Sequence, residues 1–250
     1  MTEIATALQG AVARQEITAW FQPQLSLDAG VIVAAEALCR WTHPVLGSVP
    51  PGVFIPVAEE TGLIEEIGQF MLEESCRAAL EWSQLPTPIE VSVNVSPAQL
   101  STPRFTDELA VELQRLSLVP QALTIEITES LPIDDVPVVV QRLDELRMLG
   151  LGVAIDDFGT GHSSLSQLRR LHATELKIDR SLVIDSSAEV ARMLREVIDE
   201  VHAAGLRVVA EGVETAAQLE HVRALQCDRA QGYLISRPVP KRAIDLLLAA

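Results

Sequence analysis

Apolar and polar residues recur along the chain with two different periods, one typical of strands and the other typical of helices. Short apolar runs rich in β-branched residues predict eight strands, at Thr18–Leu25, Val31–Leu38, Ile89–Asn94, Leu123–Ile127, Gly152–Ile155, Glu175–Ile178, Arg207–Ala210 and Ala230–Leu234. Amphipathic stretches between them predict helices at Leu63–Trp82, Asp107–Leu116, Pro137–Leu149, Glu189–Ala204, Ala216–Leu225 and from Lys241 onward. In the Glu189–Ala204 stretch, apolar residues from Val190 to Val201 form one helical stripe, and Gly205 follows where helices commonly end.

Strands separated by helices of this length are typical of β-α-β units with a parallel sheet. About eight strands in 250 residues fit an α/β fold, a TIM-like (β/α)8 barrel. No linker-like or low-complexity segment divides the chain, so we predict a single domain over residues 1–250. A doubly wound open sheet is the alternative, although the first predicted strand lacks the glycine-rich turn of dinucleotide-binding folds.

A short internal repeat supports the barrel. The segment from Leu151 to Asp156 follows a predicted helix and Gly150, and the segment from Leu206 to Glu211 follows a predicted helix and Gly205. In both units the acid stands six residues after the glycine. Two strands are therefore expected to end in a carboxylate at the same level along the barrel axis.

Polar residues stand at or near the ends of most predicted strands. They are Glu36, Asn94, Glu126, Asp156 with Asp157, Lys177, Glu211 and Gln231. In a barrel, the carboxyl ends of the strands meet at one face, where active sites lie. Buried carboxylates that converge repel one another, and divalent cations would stabilise them. Oxygen-rich ligands with one amide suit Mg²⁺ or Mn²⁺, whereas the histidines and cysteines lack the spacing of a zinc site.

Each of these residues also has a purely structural interpretation. Glu126 could lie on the solvent face of an edge strand, and Asn94 could cap a short helix. The pair Asp156–Asp157 could open a loop, and Lys177 could pair with Asp179. A shared site is favoured because a separate structural explanation would otherwise be needed at every strand end.

Composition narrows the class of partner. The net charge of −16 repels nucleic acid and anionic membranes, so we expect no DNA or RNA duplex as partner. A small anionic substrate is compatible with this charge if bound cations reverse its sign locally. No apolar run approaches the roughly 20 residues that span a bilayer, and residues 1–14 lack a signal-peptide pattern, so we expect no membrane insertion by this segment and a cytoplasmic location. Cys39, Cys76 and Cys227 are expected to be reduced.

The motifs around the strand ends resemble those of EAL domains, bacterial phosphodiesterases that act on cyclic di-GMP. The signature segment is Glu36-Ala37-Leu38-Cys39-Arg40-Trp41. Further motifs follow in family order between about residues 18 and 240, namely Trp20-Phe21-Gln22-Pro23, Val93-Asn94-Val95-Ser96, Glu126-Ile127-Thr128-Glu129, Asp156-Asp157-Phe158-Gly159-Thr160-Gly161, Leu176-Lys177-Ile178-Asp179, Ala210-Glu211-Gly212-Val213-Glu214-Thr215, Gln231-Gly232-Tyr233 and Ser236-Arg237-Pro238-Val239-Pro240.

The resemblance implies a TIM-like barrel, two Mg²⁺ or Mn²⁺ ions, commonly a homodimer, and hydrolysis of cyclic di-GMP to linear 5'-pGpG by a hydroxide activated at a two-metal carboxylate site. The metal ligands would be Glu36, Asn94, Glu126, Asp156, Asp157 and Glu211. The catalytic set would be Glu36, Lys177, Glu211 and Gln231, with Lys177 orienting the attacking water or hydroxide. Substrate-binding residues would be Gln22, Leu38, Arg40, Asn94, Asp156, Asp179, Glu214 and Tyr233, and Glu129 would hold the loop at residues 158–163. Whether Glu211 acts as a base or only as a ligand stays open.

Two other functions remain open at the level of the sequence. A catalytically silent receptor would bind cyclic di-GMP without turnover, but such forms normally lose some of the acids, and none is missing here. An inert barrel that serves as an interaction scaffold would show no metal-dependent change in thermal stability. Departures from the family pattern, such as His162 where tyrosine is usual, remove no predicted ligand.

Overall fold

Strands of this protein pair in a closed ring, and further strands extend it at the edges. The computed structural model describes residues 3–128, 136–159 and 171–248. Within them, ten strands form one sheet, at β1 Ile17–Ser26, β2 Ile32–His43, β3 Gly47–Val49, β4 Glu90–Asn94, β5 Leu123–Thr128, β6 Gly152–Phe158, β7 Glu175–Ile178, β8 Arg207–Ala210, β9 Arg229–Gln231 and β10 Val239–Pro240. The strands from β2 through β4 to β9 run parallel, and β1 closes the barrel between β9 and β2. The predicted TIM-like barrel is confirmed.

The first strand departs from the predicted parallel sheet, because β1 runs antiparallel to both of its barrel neighbours. Phe21 pairs with Ala37 of β2, and Gln24 pairs with Gln231 of β9. The physical reason is the length of the connection, since residues 27–31 alone join β1 to β2. A parallel neighbour requires a crossover of a dozen or more residues, whereas a short turn permits only a hairpin. A parallel arrangement was the wrong prediction for this strand.

Most predicted strand bounds agree with the structure to within a few residues, but β2 continues to His43, five residues beyond its predicted end. The extra length stays paired with β1 and β3 after the pairing of β2 with β4 has ended. Glu36 therefore lies inside its strand rather than near its end. It still sits at the level of the other strand ends, since it pairs with Ser92 and β4 ends two residues later at Asn94.

Helices surround the barrel. Those in the described ranges span Glu3–Leu8, Pro51–Thr61, Ile64–Trp82, Pro97–Leu100, Pro103–Leu116, Val136–Met148, Arg180–Ile184, Ala188–Ala203, Ala216–Ala224 and Lys241–Leu248, with a 3-10 turn at Pro120–Ala122. The helix Ala188–Ala203 buries the apolar stripe that its period predicts, including Leu194 and Ile198. Ser187 caps its first turn, and Gly205 follows it with a φ of +77°. None of the helices in the described ranges combines the length and the apolar composition needed to cross a bilayer.

The strands carry their apolar and polar residues on opposite faces, as the period of two requires. In β7, Leu176 and Ile178 belong to the apolar core beneath the helices, whereas Glu175 and Lys177 point into the barrel. All of these side chains are buried. The interior of the barrel is therefore polar, and the helix-facing side supplies the apolar core.

Candidate active site

Lys177 lies at the centre of a cluster of carboxylates at the carboxyl end of the barrel. Its side chain is fully buried, and its Nζ atom lies 2.8 Å from Glu126 Oε2, 2.8 Å from Glu211 Oε1, 3.2 Å from Asp156 Oδ1 and 3.3 Å from Glu36 Oε2. These four acids come from different segments of the barrel, three from strands and one from the residue after β8. The predicted convergence of strand ends is thus seen directly in this part of the protein.

Glu36 is fixed by three donors. Asn94 Nδ2 donates to Glu36 Oε1 at 2.7 Å, and Gln231 Nε2 donates to Glu36 Oε2 at 2.6 Å. Lys177 Nζ is the third donor, again to Oε2. Burial alone would raise the pKa of Glu36, but the charge of Lys177 and these hydrogen bonds hold it below its usual value. Glu36 is therefore an ionised, oriented acceptor.

Three further acids of the cluster, Glu126, Asp157 and Glu211, have raised pKa values. Burial raises the pKa of Glu126 well above its usual range, and repulsion by Glu36 adds to this effect. Burial likewise raises the pKa of Glu211 to about 8 and that of Asp157 to about 6. Burial alone would lower the pKa of Lys177, but the surrounding carboxylates outweigh this effect and raise its pKa well above the ordinary value. One ammonium group leaves this cluster short of positive charge.

Asp156 and Asp157 are consecutive, so a regular strand would point them to opposite faces. The pairing of β6 with β7 shifts register between Ile155 and Phe158, and Asp157 adopts a φ of +60°, which is uncommon for a residue other than glycine. Such a bulge re-aims side chains next to functional sites. It brings a ligand oxygen of Asp157 within 4.8 Å of one from Asp156 and one from Glu211.

The cluster fits divalent cations. Ligand oxygens of Glu36, Glu126 and Asp156 lie within 4.8 Å of one another, and Asp156 also belongs to the second group, with Asp157 and Glu211. Glu126 Oε1 is buried and accepts no hydrogen bond from the described protein groups. A donor set made of carboxylate oxygens is the kind that Mg²⁺ and Mn²⁺ prefer. The residues present could therefore hold such ions.

A chain of side-chain amides supports Glu36 from the side of β1 and β9. Gln231 Nε2 donates to Gln22 Oε1 at 3.1 Å as well as to Glu36, and Gln24 Nε2 donates to Gln231 Oε1 at 3.0 Å. Gln22 Nε2 in turn donates to the carbonyl of Ser236. The sequence reasoning missed Gln24. The available signal was its spacing, since residues 22 and 24 share a face of the same strand.

The structural alternatives for four of the strand-end residues do not hold. Glu126 is fully buried, and β5 lies between β4 and β6 rather than at an edge. Asn94 does not cap a helix, because Ser96 caps Pro97–Leu100. The pair Asp156–Asp157 lies within β6 instead of opening a loop. These residues are therefore explained by the cluster that they form.

Asp179 does not pair with Lys177 either, because its side chain caps the helix Arg180–Ile184 by accepting from Ser181 N at 2.8 Å. Lys177 contacts the four acids of the cluster instead. Glu214 forms an ion pair with Arg180 at 3.0 Å. These two predicted substrate-binding residues thus have protein partners of their own.

A cavity of about 590 Å³ lies next to the acids. Its walls include Leu38, Arg40 and Asn94, which were predicted to bind substrate, together with Ile55 and Glu59 of the helix Pro51–Thr61. Burial raises the pKa of Glu59. The cavity therefore combines apolar walls with a cationic guanidinium and a carboxyl group beside the cluster.

The remaining predicted residues lie at the rim or outside the described ranges. The ring of Tyr233 is 47% exposed, and the guanidinium of Arg237 lies over it, 4.1 Å from the ring centroid. Gly232 precedes it where a Cβ atom would come within 2.2 Å of the Val213 backbone, so this close approach requires glycine. Glu129 and His162 lie outside the described residues.

Comparisons with known proteins add to this geometry. A model of the EAL domain family matches residues 5–238. MucR of Pseudomonas aeruginosa, named a bifunctional diguanylate cyclase/cyclic di-GMP phosphodiesterase, is 39% identical over 236 residues, which cover 93% of this chain and 34% of the relative. NbdA of the same bacterium, named a cyclic di-GMP phosphodiesterase, is 36% identical over 249 residues, which cover 97% and 31% respectively. This chain thus spans about a third of the length of these curated relatives.

A solved structure extends the likeness to three dimensions. The solved structure of the MucR phosphodiesterase in complex with c-di-GMP matches this chain with a TM-score of 0.90 at 37% identity. The match covers 97% of this chain and 100% of the other. Fold and sequence therefore agree on the same relative.

Proposed function

Because this chain belongs to the EAL domain family, we propose that it hydrolyses one phosphodiester bond of cyclic di-GMP to give linear 5'-pGpG. One observation carries the proposal. Carboxylates of Glu36, Glu126, Asp156 and Glu211 surround the buried ammonium of Lys177, and no acid expected from the family motifs is missing. This arrangement supplies both cation ligands and a fixed positive charge beside an open cavity.

The proposed ligands of two Mg²⁺ or Mn²⁺ ions are Glu36, Asn94, Glu126, Asp156, Asp157 and Glu211. When bound, such ions supply Lewis acidity toward water and phosphate and offset negative charge. The ions would also offset the negative charge of the protein near the substrate. A protein with a net charge of −16 repels a phosphodiester unless cations reverse the local sign. In our proposal Glu211 serves as a ligand rather than as the base.

The side chains of the protein would orient the reactants. Lys177 keeps its proton, because its raised pKa holds it as an ammonium, and we assign it the role of holding the attacking water and stabilising charge that develops on the phosphate. Gln231 and Asn94 hold the Glu36 carboxylate in one orientation from opposite sides. Preorganised donors of this kind cost little reorganisation during the reaction.

The cavity beside the acids is the proposed substrate pocket. Arg40 and Leu38 line it, so a cation and an apolar surface lie close to the cluster. Tyr233 presents an exposed ring on which a base could stack, and Gln22, Asp179 and Glu214 complete the proposed contacts. A homodimer in the cytoplasm, with the whole of residues 1–250 as one phosphodiesterase domain, completes the proposal by analogy with the family.

The test is an assay for product. The protein should convert cyclic di-GMP to linear pGpG with Mn²⁺ or Mg²⁺ present, as followed by chromatography, and chelator should abolish the conversion. Glu36→Ala should be inactive while remaining folded by circular dichroism. Absence of product at high protein concentration, with cyclic di-GMP still bound in calorimetry, would instead establish the silent receptor. Full activity of Glu36→Ala would contradict the proposed site.

A further inference from the structure

Gln24 has no assigned role in the proposed reaction. It is nevertheless hydrogen-bonded to Gln231, which in turn donates a hydrogen bond to Glu36 of the acid cluster. It sits on β1 with 1% of its surface exposed, and its Nε2 atom donates to Gln231 Oε1 at 3.0 Å. Its own carbonyl oxygen is buried and accepts no hydrogen bond from the described protein groups. A buried carbonyl without a partner destabilises a fold. The Gln24 amide therefore lowers the stability of the fold at a position where an apolar side chain would not.

The direction of the amide chain follows from the hydrogen bonds of Glu36. Its Oε2 atom accepts from Lys177 Nζ, and Gln231 turns its Nε2 atom toward the same oxygen, at 2.6 Å. Its other N–H donates to Gln22 Oε1 at 3.1 Å. The carbonyl of Gln231 is then left facing Gln24, which must donate. A side chain at position 24 that cannot donate would leave the Gln231 amide without the contact that favours this orientation.

We propose that Gln24 is a positioning residue that orients the Gln231 amide and, through it, the Glu36 carboxylate. The inference rests on the proposed function, because it assumes that an oriented Glu36 matters for cation binding and turnover. It goes beyond that function in assigning a role to a side chain that touches neither cation nor substrate. It also explains why a buried polar group is kept in the wall of the barrel.

The test is a double-mutant cycle with Gln24→Met and Gln231→Met. Methionine has nearly the shape of glutamine and no donor. Gln24→Met should lower kcat about fivefold, the rate equivalent of one neutral hydrogen bond, with KM within about twofold of the wild type. If Gln24 acts through Gln231, adding Gln24→Met to Gln231→Met should change kcat by less than about twofold.

A second readout does not depend on turnover. The Mn²⁺ concentration that gives half of the metal-induced rise in thermal midpoint should increase for Gln24→Met and stay unchanged by the same substitution in the Gln231→Met background. The thermal midpoint without metal should change little, because one orphaned carbonyl replaces another. Ser92→Ala is the matched control, since Ser92 is also buried in the barrel and its hydroxyl has no hydrogen-bond partner among the described residues. This substitution should leave both readouts unchanged.

Three results would overturn the inference. The first is a Gln24→Met protein with wild-type kcat and Mn²⁺ response. The second is a double variant in which the kcat losses of Gln24→Met and Gln231→Met multiply. The third is a fall in the metal-free thermal midpoint of Gln24→Met that is large enough to account for its lost activity. If the wild type shows no turnover, the proposed function fails, and the Mn²⁺ response still tests Gln24 by itself.

Discussion

Two clusters of charged side chains, one buried and one partly buried, occupy opposite ends of the same barrel, and their charges are balanced in different ways. The carboxyl-end cluster consists of Glu36, Glu126, Asp156, Asp157, Glu211 and Lys177. The amino-end cluster consists of Glu90, Glu175, Arg207 and Arg229. Strands β7 and β8 contribute to both clusters, with Glu175 and Arg207 at their first residues, Lys177 two residues later, and Glu211 just beyond β8.

The amino-end cluster matches each acid with a guanidinium. Glu90 accepts from Arg207 Nη1 at 3.1 Å and from Arg229 Nη2 at 3.0 Å, and Glu175 Oε2 lies 3.1 Å from Arg207 Nε. Burial still raises the pKa of Glu175, although the two arginines oppose it. Two acids against two guanidinium groups leave this end without net charge.

The carboxyl-end cluster has five acids and one ammonium, so its own side chains cannot balance it. The contrast separates two uses of buried charge within one fold. The charges at the amino end balance one another, whereas the excess of acids at the carboxyl end supplies the cation ligands of the proposed function. The difference predicts that substitutions at the two ends will affect different measurements.

The largest effect is expected from removing the central ammonium. Lys177→Met should lower kcat for cyclic di-GMP by about 10³-fold, because a fixed charge next to the reacting phosphate is lost. With Mn²⁺ present the variant should remain folded by circular dichroism, since the cations still offset the acids. Activity within tenfold of the wild type would show that Lys177 is a structural counter-ion like the arginines at the other end.

The reverse pattern is expected at the amino end. Arg229→Met should lower the free energy of unfolding by roughly 3 kcal/mol, because it leaves the buried carboxylate of Glu175 with one guanidinium fewer. Below its thermal midpoint the variant should retain kcat within about twofold, since Arg229 contacts no residue of the carboxyl-end cluster. Chemical denaturation and the pGpG assay give the two values. A selective loss of kcat without destabilisation would contradict this separation, because it would show that the two clusters act as one functional unit.

The smallest effect is a pH trend that the unbalanced end should produce more strongly than the balanced end. Glu211 has a pKa raised from 4.5 to about 8, so the folded chain binds protons that the unfolded chain has lost. Between these two values, rising pH therefore destabilises the metal-free protein. We expect its thermal midpoint to fall by about 5 °C from pH 5 to pH 8, as measured by scanning calorimetry.

Cations should remove this trend, because they replace the protons on the acids. A saturating Mn²⁺ concentration should thus raise the thermal midpoint more at pH 8 than at pH 5. Glu211→Gln should flatten the metal-free trend more than Glu175→Gln does, because two arginines oppose the rise in pKa at the balanced end. A metal-free midpoint that rises over this range would contradict the assignment of raised pKa values to the carboxyl end.

The sequence predicted the barrel and most of the carboxyl-end cluster because both depend on local pattern. Runs such as Glu175–Ile178 match their strands residue for residue, and their polar residues recur where the strands end. The amino-end cluster was overlooked, although its signal was present. Charged residues stand at the first position of β4, β7, β8 and β9, where the reasoning considered only the last positions.

Other features depend on tertiary pairing, which local pattern does not encode. The bulge at Asp157 requires β7 beside β6, and an alternating pattern would have sent one of the two consecutive aspartates away from the site. The extension of β2 to His43 requires β1 and β3 as partners. The donor role of Gln24 depends on its placement opposite Gln231, 207 residues away in sequence.

The antiparallel direction of β1 also determines at which end of the barrel the residues before β1 lie. Since β1 runs opposite to the other barrel strands, the residues before it lie at the end that carries the acids, where Thr42 N donates to the carbonyl of Glu16. The helix Glu3–Leu8 packs there against the helix Pro51–Thr61, whose Ile55 and Glu59 form part of the cavity wall. The first helix thus packs against the helix that forms part of the cavity wall, so we expect a change in the packing of the first helix to reach that wall.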